Sequence, residues 1–173
     1  ATEQVRITSG GNVGIGTTTP NQKLSIFNSA ADSALEFSSA SGDTYKWTMG
    51  LDYTDGSFRI ASSTALGTND RLVINGAGNV GIGTTGPEDK LHIYRGSAGT
   101  VTSVAEGAIV IEDDASVGIN ILTPNNLQGY LIFGDPEDSN VGYIEYNHPT
   151  NAMGFYNAGG ATAKVLIDSS GNL

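Results

Sequence analysis

The sequence contains no cysteine and few basic residues, and these two gaps exclude several classes of function. Without cysteine there is no disulfide, no thiolate metal site and no cysteine nucleophile. Only 8 residues are Lys or Arg against 18 Asp or Glu, so the net charge is −10. Because nucleic acids and anionic membrane surfaces are bound through clusters of Lys and Arg, we expect neither as a partner. A run of about 18 apolar residues is also missing, so no insertion into a membrane is expected.

Charged residues are scarce in general, at 15 %, whereas glycine is abundant, with 24 residues among 173. A sequence that is rich in Gly and β-branched residues and poor in Lys and Glu disfavours helices. We therefore expect an all-β protein. Two short stretches, 29–37 (SAADSALEF) and 102–108 (TSVAEGA), are each compatible with one helical turn.

A segment of the sequence is repeated along the chain. Residues 5–27 read VRITSGGNVGIGTTTPNQKLSIF, and residues 72–94 read LVINGAGNVGIGTTGPEDKLHIY. A third copy, VLIDSSGNL, begins at Val165 and stops within the repeat, so we expect the chain to be a piece of a longer protein. Each unit predicts a short strand, a Gly/Asn turn, a second strand with glycine at alternate positions and, after Thr-Thr-x-Pro, a third strand.

Each repeat unit is too short to bury a core by itself, and no disulfide compensates for this. We therefore expect equivalent units of several chains to pack around a common axis. In this interpretation the glycines allow neighbouring backbones to approach closely, and the Val, Ile and Leu side chains fill the shared core. The predicted interface consists of Val13, Gly14, Ile15, Gly16, Leu24, Ile26, Val80, Gly81, Ile82, Gly83, Leu91 and Ile93.

The repeats divide the sequence into five segments. The first unit occupies 1–27, a β insert 28–71, the second unit 72–94, a further β insert 95–164, and the truncated third repeat 165–173. Strands are predicted in the second insert at GYLIF, VGYIEY and NAMGFY, because Pro-, Asp- and Asn-rich turns separate these alternating segments.

The pattern G-N-V-G-I-G-T-T-x-P-x-x-K-L resembles the repeats of bacteriophage tail-fibre and tailspike proteins. Residues 131–173 resemble the module that precedes an endosialidase-type C-terminal intramolecular chaperone, with GYIEYNH at 142–148 and NAMGFY at 151–156 as the matching pieces. The resemblance implies an elongated, interwoven homotrimeric β fibre, with small β-sandwich-like or β-prism inserts between the repeats. It also implies a structural, non-catalytic role in the virion, as shaft and in host-receptor recognition. The alternatives are a non-catalytic part of a glycan-degrading tailspike, and a bacterial adhesin or secreted fibre at the cell surface or outside the cell.

The residue patterns that suggest chemistry have plainer explanations. Gly81–Gly86 matches the dinucleotide fingerprint G-x-G-x-x-G, but Pro87 and a strand follow where that fold requires a helix. The acidic clusters 112–114 and 135–138 are expected to lie in turns, where acids are solvated or hold the turn, with a catalytic pair or a weak cation site as alternatives. His92 is expected on the exposed face of its strand, or else on a trimer axis where three copies bind an ion. We predict no enzymatic activity, no cofactor and no bound metal.

Aromatic residues remain as candidates for receptor contact, since they stack on sugar rings. Core or interface positions are the alternative for these side chains. The partners we expect are the chain itself and a cell-surface glycan or protein of the host, bound by the inserts rather than by the repeats. The aromatic candidates are Trp47, Tyr53, Tyr143, Tyr146 and Tyr156.

Overall fold

The computed structural model describes residues 4–39, 46–99, 102–104, 106–157 and 162–173. Within these ranges the regular secondary structure consists of fourteen β-strands in three sheets, without a helix, so the predicted all-β class is confirmed. The chain divides into two compact units, Ala1–Val117 and Gly118–Leu173. The predicted insert 95–164 is therefore shared between the two units.

The first repeat forms a three-stranded sheet of β1 (Val5–Ile7), β2 (Val13–Ile15) and β3 (Leu24–Ile26). Strands β1 and β2 make an antiparallel hairpin, whereas β2 and β3 are parallel. The connection between the parallel strands is shorter than the dozen or more residues of the usual crossover. It is the predicted Thr-Thr-x-Pro segment, which closes the unit tightly.

A seven-stranded sheet makes up the rest of the first unit's regular structure. Its strands are adjacent in chain order, antiparallel from β4 to β8 and parallel from β8 to β10. The strands of the first insert therefore share one sheet with those of the second repeat. The strands are β4 (Ser33–Ser38), β5 (Lys46–Leu51), β6 (Phe58–Ala61), β7 (Asp70–Ile74), β8 (Val80–Ile82), β9 (Leu91–Tyr94) and β10 (Ile109–Glu112).

The helical turn predicted within 29–37 is wrong, because β4 occupies most of that stretch. Leu35 and Phe37 pair across the sheet with Met49 and Trp47, and this cross-strand pairing outweighs the helix propensity of Ala34 and its neighbours. The other predicted helical turn, 102–108, includes a residue outside the described part of the chain. The sequence S-G-D at 41–43 also predicts a turn, but these residues lie outside the described part of the chain altogether.

The second unit contains a four-stranded antiparallel sheet in the order β11 (Gln128–Phe133), β12 (Gly142–Asn147), β13 (Ala152–Asn157) and β14 (Val165–Ile167). The three strands predicted in this region are confirmed. The predicted Asp135 turn is confirmed as well, since the Asp135 carboxylate accepts hydrogen bonds from the backbone N–H groups of Glu137 and Asp138. The sequence N-A-G-G at 157–160 predicts a further turn, which lies largely outside the described residues.

All three repeats contain the same turn, including the truncated third copy. In each, the first turn residue donates its N–H to the carbonyl of an Asn four positions later, while its side-chain oxygen accepts that residue's N–H. A glycine with positive φ precedes the Asn and completes the turn. The equivalent residues are Thr8, Gly11 and Asn12; Asn75, Gly78 and Asn79; and Asp168, Gly171 and Asn172.

Candidate functional site

One face of the seven-stranded sheet carries large apolar side chains that remain accessible to solvent. The strand register brings them together from all seven strands, and none of them is buried. Phe37 is 55 % exposed and Ile109 is 63 % exposed. We call this surface the apolar face; it comprises Leu35, Phe37, Trp47, Met49, Leu51, Phe58, Ile60, Leu72, Ile74, Val80, Ile82, Leu91, Ile93, Ile109 and Ile111.

The opposite face of the same sheet carries mostly small and polar side chains, and all of the buried strand residues lie on this face. Ala61 and Val73 are fully covered, and Thr48, Arg59 and His92 are buried with them. Loops of the same chain cover this face: the Thr48 hydroxyl donates to the carbonyl of Ser63 at 2.7 Å, and Leu66 of the same loop is buried. The ordinary distribution of apolar and polar residues is therefore reversed, which is typical of a surface that contacts a partner.

The structure places the eight apolar residues of the predicted interface on exposed or half-buried faces. In the seven-stranded sheet, Val80, Ile82, Leu91 and Ile93 belong to the apolar face. In the three-stranded sheet, the corresponding face carries Val13, Ile15, Leu24 and Ile26, which pair directly across the parallel strands. Their contact with another chain stays a prediction.

The four glycines of the predicted interface were expected to allow close approach of neighbouring chains. The structure instead shows each of them against the backbone of its own chain. A Cβ at Gly81 would lie 2.6 Å from the carbonyl oxygen of Thr84, and a Cβ at Gly83 would overlap the carbonyl oxygen of Tyr94. Gly83 also has a φ of +79°, which side-chain-bearing residues adopt at a cost. These glycines let the chain turn back tightly against its own backbone. The first repeat has the same contacts, at Gly14 and Gly16.

His92 is buried, so the expectation that its side chain is exposed was wrong. It lies on the loop-covered face, only 2 % exposed, with Nε2 at 3.2 Å from a carboxylate oxygen of Glu112. Its Nδ1 accepts the backbone N–H of Glu88 at 3.4 Å. His92 therefore links β9, β10 and the preceding loop. The sequence interpretation failed because it took the apolar side of the strand to be the buried one.

The expectation of a solvated acidic cluster at 112–114 is wrong for its first two members. Glu112 and Asp113 are buried, and Asp113 forms an ion pair with Arg95 at 2.8 Å. The Glu112 carboxylate also accepts the backbone N–H of Ala98. Both acids thus fix the segment that follows β9, because each is paired with a donor of that segment.

A buried charge cluster around Arg59 was missed by the sequence analysis. The guanidinium contacts Asp70 and Asp55 at 2.6 Å each and Asp52 at 3.2 Å. Burial opposes the charge of Arg59, yet the hydrogen bonds to Asp70 and Asp55 raise its pKa. The pKa of Asp55 is lowered, first by hydrogen bonds from Ser57 and then by Arg59. Asp-x-x-Asp-Gly followed by Arg in a short strand was the only sequence signal.

Three tyrosines form a cluster on one face of the four-stranded sheet. Tyr143 and Tyr156 are stacked, with ring centroids 4.3 Å apart and an interplanar angle of 11°. Tyr130 meets Tyr143 edge-on at 5.6 Å. Desolvation, reinforced by the charge of the adjacent Glu145, raises the pKa of Tyr130 and Tyr156. Two of the predicted receptor contacts are thus brought together, with Tyr130 added.

The other three aromatic candidates lie apart from this cluster. Tyr146 projects from the opposite face of the sheet, where its ring meets His148 edge-on at 4.9 Å. Tyr53 lies at the exposed turn before β6. Trp47 belongs to the apolar face, where it pairs with Phe37. The five residues therefore do not form a single binding surface.

Comparison of the whole sequence with protein-family models and with curated proteins finds no match. In the described ranges, no group of three or more His, Asp or Glu side chains is arranged to hold a metal ion. The same ranges contain no helix that could span a membrane. In the part of the chain that the structure describes, the apolar face and the tyrosine cluster are the surfaces to which we assign a function.

Proposed function

We propose that this chain is a structural segment of a bacteriophage tail fibre, assembled as a parallel homotrimer in the virion and contributing to recognition of the host. It has no catalytic role. The observation that carries the proposal is the apolar face: a sheet that buries its polar side within the chain and leaves Phe37, Trp47 and Ile82 open requires an apolar partner.

A second and third copy of the same chain supply that partner. Parallel, in-register copies around a threefold axis bring each repeat against its equivalents, so every apolar face is covered in the same way. Each chain carries a charge of −10, so net charge opposes the association. Burial of apolar surface is therefore its driving force. The number of copies and the phage origin rest on the resemblance of the GNVGIGTT repeats to tail-fibre repeats.

Recognition belongs to the segments between the repeats. The turns of the three repeats have one common geometry, and identical scaffold elements do not distinguish one receptor from another. The insert strands carry varied side chains, including the tyrosine cluster. Shaft and receptor contact are thus functions of different residues in one chain.

The molar mass in solution tests the assembly. Light scattering coupled to size exclusion should give about 53 kDa, three times the chain mass of 17.8 kDa. A stable species of 17.8 kDa, or a dimer, contradicts the proposal. Antibodies to the purified chain should label the tail fibres of virions in electron micrographs. Labelling confined to the bacterial surface would support an adhesin instead.

A further inference from the structure

We propose that the tyrosine cluster of Tyr130, Tyr143 and Tyr156, together with the adjacent Glu145, is a binding site for neutral sugar residues of a surface glycan. The inference rests on the proposed recognition function and assigns it a site and a ligand class. The cluster lies within the second unit and consists of residues from three consecutive strands.

The two faces of the four-stranded sheet differ in chemistry. One face carries Leu131, Phe155 and Val165, all of them exposed in the single chain. The other carries the tyrosine cluster, whose rings combine apolar faces with polar hydroxyls, beside the exposed side chains of Ile132 and Leu166. We expect assembly to cover the face of Leu131, Phe155 and Val165, because tyrosine is typical of surfaces that keep some contact with water. The tyrosine cluster is then the side left open to a ligand.

The rings are held in fixed positions. Tyr143 and Tyr156 are directly opposite in the register of β12 and β13, which places their rings in the parallel stack. The ring of Tyr156 lies over Gly154, where a Cβ would collide with it. A flat, preorganised aromatic surface is what the C–H face of a pyranose ring packs against, and its rigidity lowers the entropic cost of binding.

Polar groups stand beside this surface. The Glu145 carboxylate lies beside the hydroxyls of Tyr130 and Tyr156 and accepts a hydrogen bond from the side-chain amide of Asn147 at 3.3 Å. The carboxylate and the hydroxyls are acceptors and donors for sugar hydroxyl groups. A neighbouring cavity of about 200 Å³ is lined by Tyr130, Ile132, Asn140 and Tyr143. Its volume is below that of a site for a drug-sized ligand, which suits one residue of a longer glycan.

Charge selects the class of sugar. Glu145 is an acid at the centre of the site, and the chain has a net charge of −10. Sialic and uronic acids are therefore repelled, since like charges placed together disfavour the wrong partner. Neutral hexoses and N-acetylhexosamines meet no such repulsion. The ligand class is thus a neutral glycan.

The test is a glycan array of neutral and acidic oligosaccharides, followed by saturation-transfer NMR of the full chain with chitohexaose, maltohexaose and polysialic acid. We expect binding of neutral glycans only. Tyr156→Ser and Gly154→Ala should each weaken it at least tenfold, the second by displacing the Tyr156 ring. Phe27→Ser is the control, an exposed aromatic residue of the first repeat and therefore outside the inserts that carry recognition, and it should bind as the wild type does.

Glu145→Gln keeps the size of the side chain and the rings, so it tests the charge even if the tyrosine variants unfold. It should reduce the preference for neutral over acidic glycans at least tenfold. The proposal is overturned if no neutral glycan on the array binds, if acidic glycans bind equally well, or if Tyr156→Ser and Glu145→Gln both behave as wild type. A monomer that binds neutral glycans would refute the trimer but support the glycan site. A trimer that binds no neutral glycan would support the assembly but refute the glycan site.

Discussion

Replacement of Trp47 by serine should dissociate the assembly, because it removes apolar surface that only a partner chain would cover. Trp47 lies on the apolar face of the seven-stranded sheet, paired with Phe37, and it is 47 % exposed in the single chain. Its neighbour Thr48 points to the covered side of the sheet. The substitution therefore removes apolar surface from the proposed interface and leaves the loop-covered side of the sheet intact.

The expected loss of association free energy is large, because each of the three chains loses the burial of one Trp47 side chain. A tryptophan offers roughly 200 Å² for burial, so about 100 Å² of Trp47 remains open to a partner. At about 25 cal/mol per Å², covering this area contributes about 2.5 kcal/mol per chain. Three chains together lose about 7.5 kcal/mol, which is more than five orders of magnitude in the association constant of the trimer.

Light scattering over a dilution series measures this difference. The wild type should keep its trimer mass over the series, whereas Trp47→Ser should fall to 17.8 kDa. Tyr53→Ser is the control, because Tyr53 is even more exposed, at 60 %, but lies on a turn away from the apolar face. Trp47 is the sole tryptophan, so its emission in the wild type should shift to the red only at dilutions beyond this series, where the wild-type trimer dissociates. Equal dissociation of Trp47→Ser and wild type would refute the interface.

Three further changes test the fold of the chain itself. In a urea titration, Gly83→Ala should lower the free energy of unfolding by about 1–3 kcal/mol, because the φ of Gly83 is positive and a Cβ there would meet a backbone carbonyl of the same chain. Gly86→Ala is the control and should have little effect, because a Cβ at Gly86 would lie in open space. Arg59→Met should cost about 3–5 kcal/mol because it leaves buried carboxylates unpaired, and a loss as small as that of the exposed Arg95→Met would count against the cluster. Asp55 has a lowered pKa in the folded chain, so the stability it contributes is present above its ordinary pKa of 3.8 and is lost as the pH falls through the lower pKa of the folded chain. Asp55→Asn should therefore reduce the fall in melting temperature at acidic pH. An unchanged fall would contradict this.

Strands and turns could be predicted from the sequence because both depend on local pattern. Alternation of apolar and small residues around Val80 and Ile82 specifies a strand, and Gly78 specifies the turn before it. Even the truncated repeat at Val165 keeps this geometry, since its turn is closed by bonds within a few residues. Local information was sufficient for these elements.

The partition of the sheet faces could not be predicted. Sequence pattern shows that Leu91 and Ile93 share one face and His92 the other, but it does not show which face the loops cover. The expectation that the face opposite Leu91 and Ile93 is open to solvent placed His92 at the surface. The loops instead cover the side where Gly81, opposite His92, leaves room for them. The contacts around Arg59 could not be predicted either, because they form on the face of the sheet that the loops cover.

The reversed faces imply that folding and assembly are coupled. Among the described residues, the buried apolar side chains are Ala61, Leu66, Val73 and Ala152, which is a small core for 173 residues. Ordering each residue costs about 1–2 kcal/mol of conformational entropy, and a core of this size offsets little of that cost. The missing stabilisation must come from surface that is covered only when chains associate.

Coupled folding and assembly make the melting temperature depend on protein concentration, because a higher concentration favours the associated, folded state by mass action. We expect the thermal midpoint, followed by far-ultraviolet circular dichroism, to rise steadily over about a hundredfold increase in concentration. Trp47→Ser should melt lower than the wild type at equal concentration, since its trimer is weaker. Tyr53→Ser should follow the wild-type curve, because its side chain lies outside the apolar face. A reversible midpoint that stays constant over the whole concentration range would mean that the single chain is stable with its apolar face open, and the reasoning from that face to a trimer would then fail.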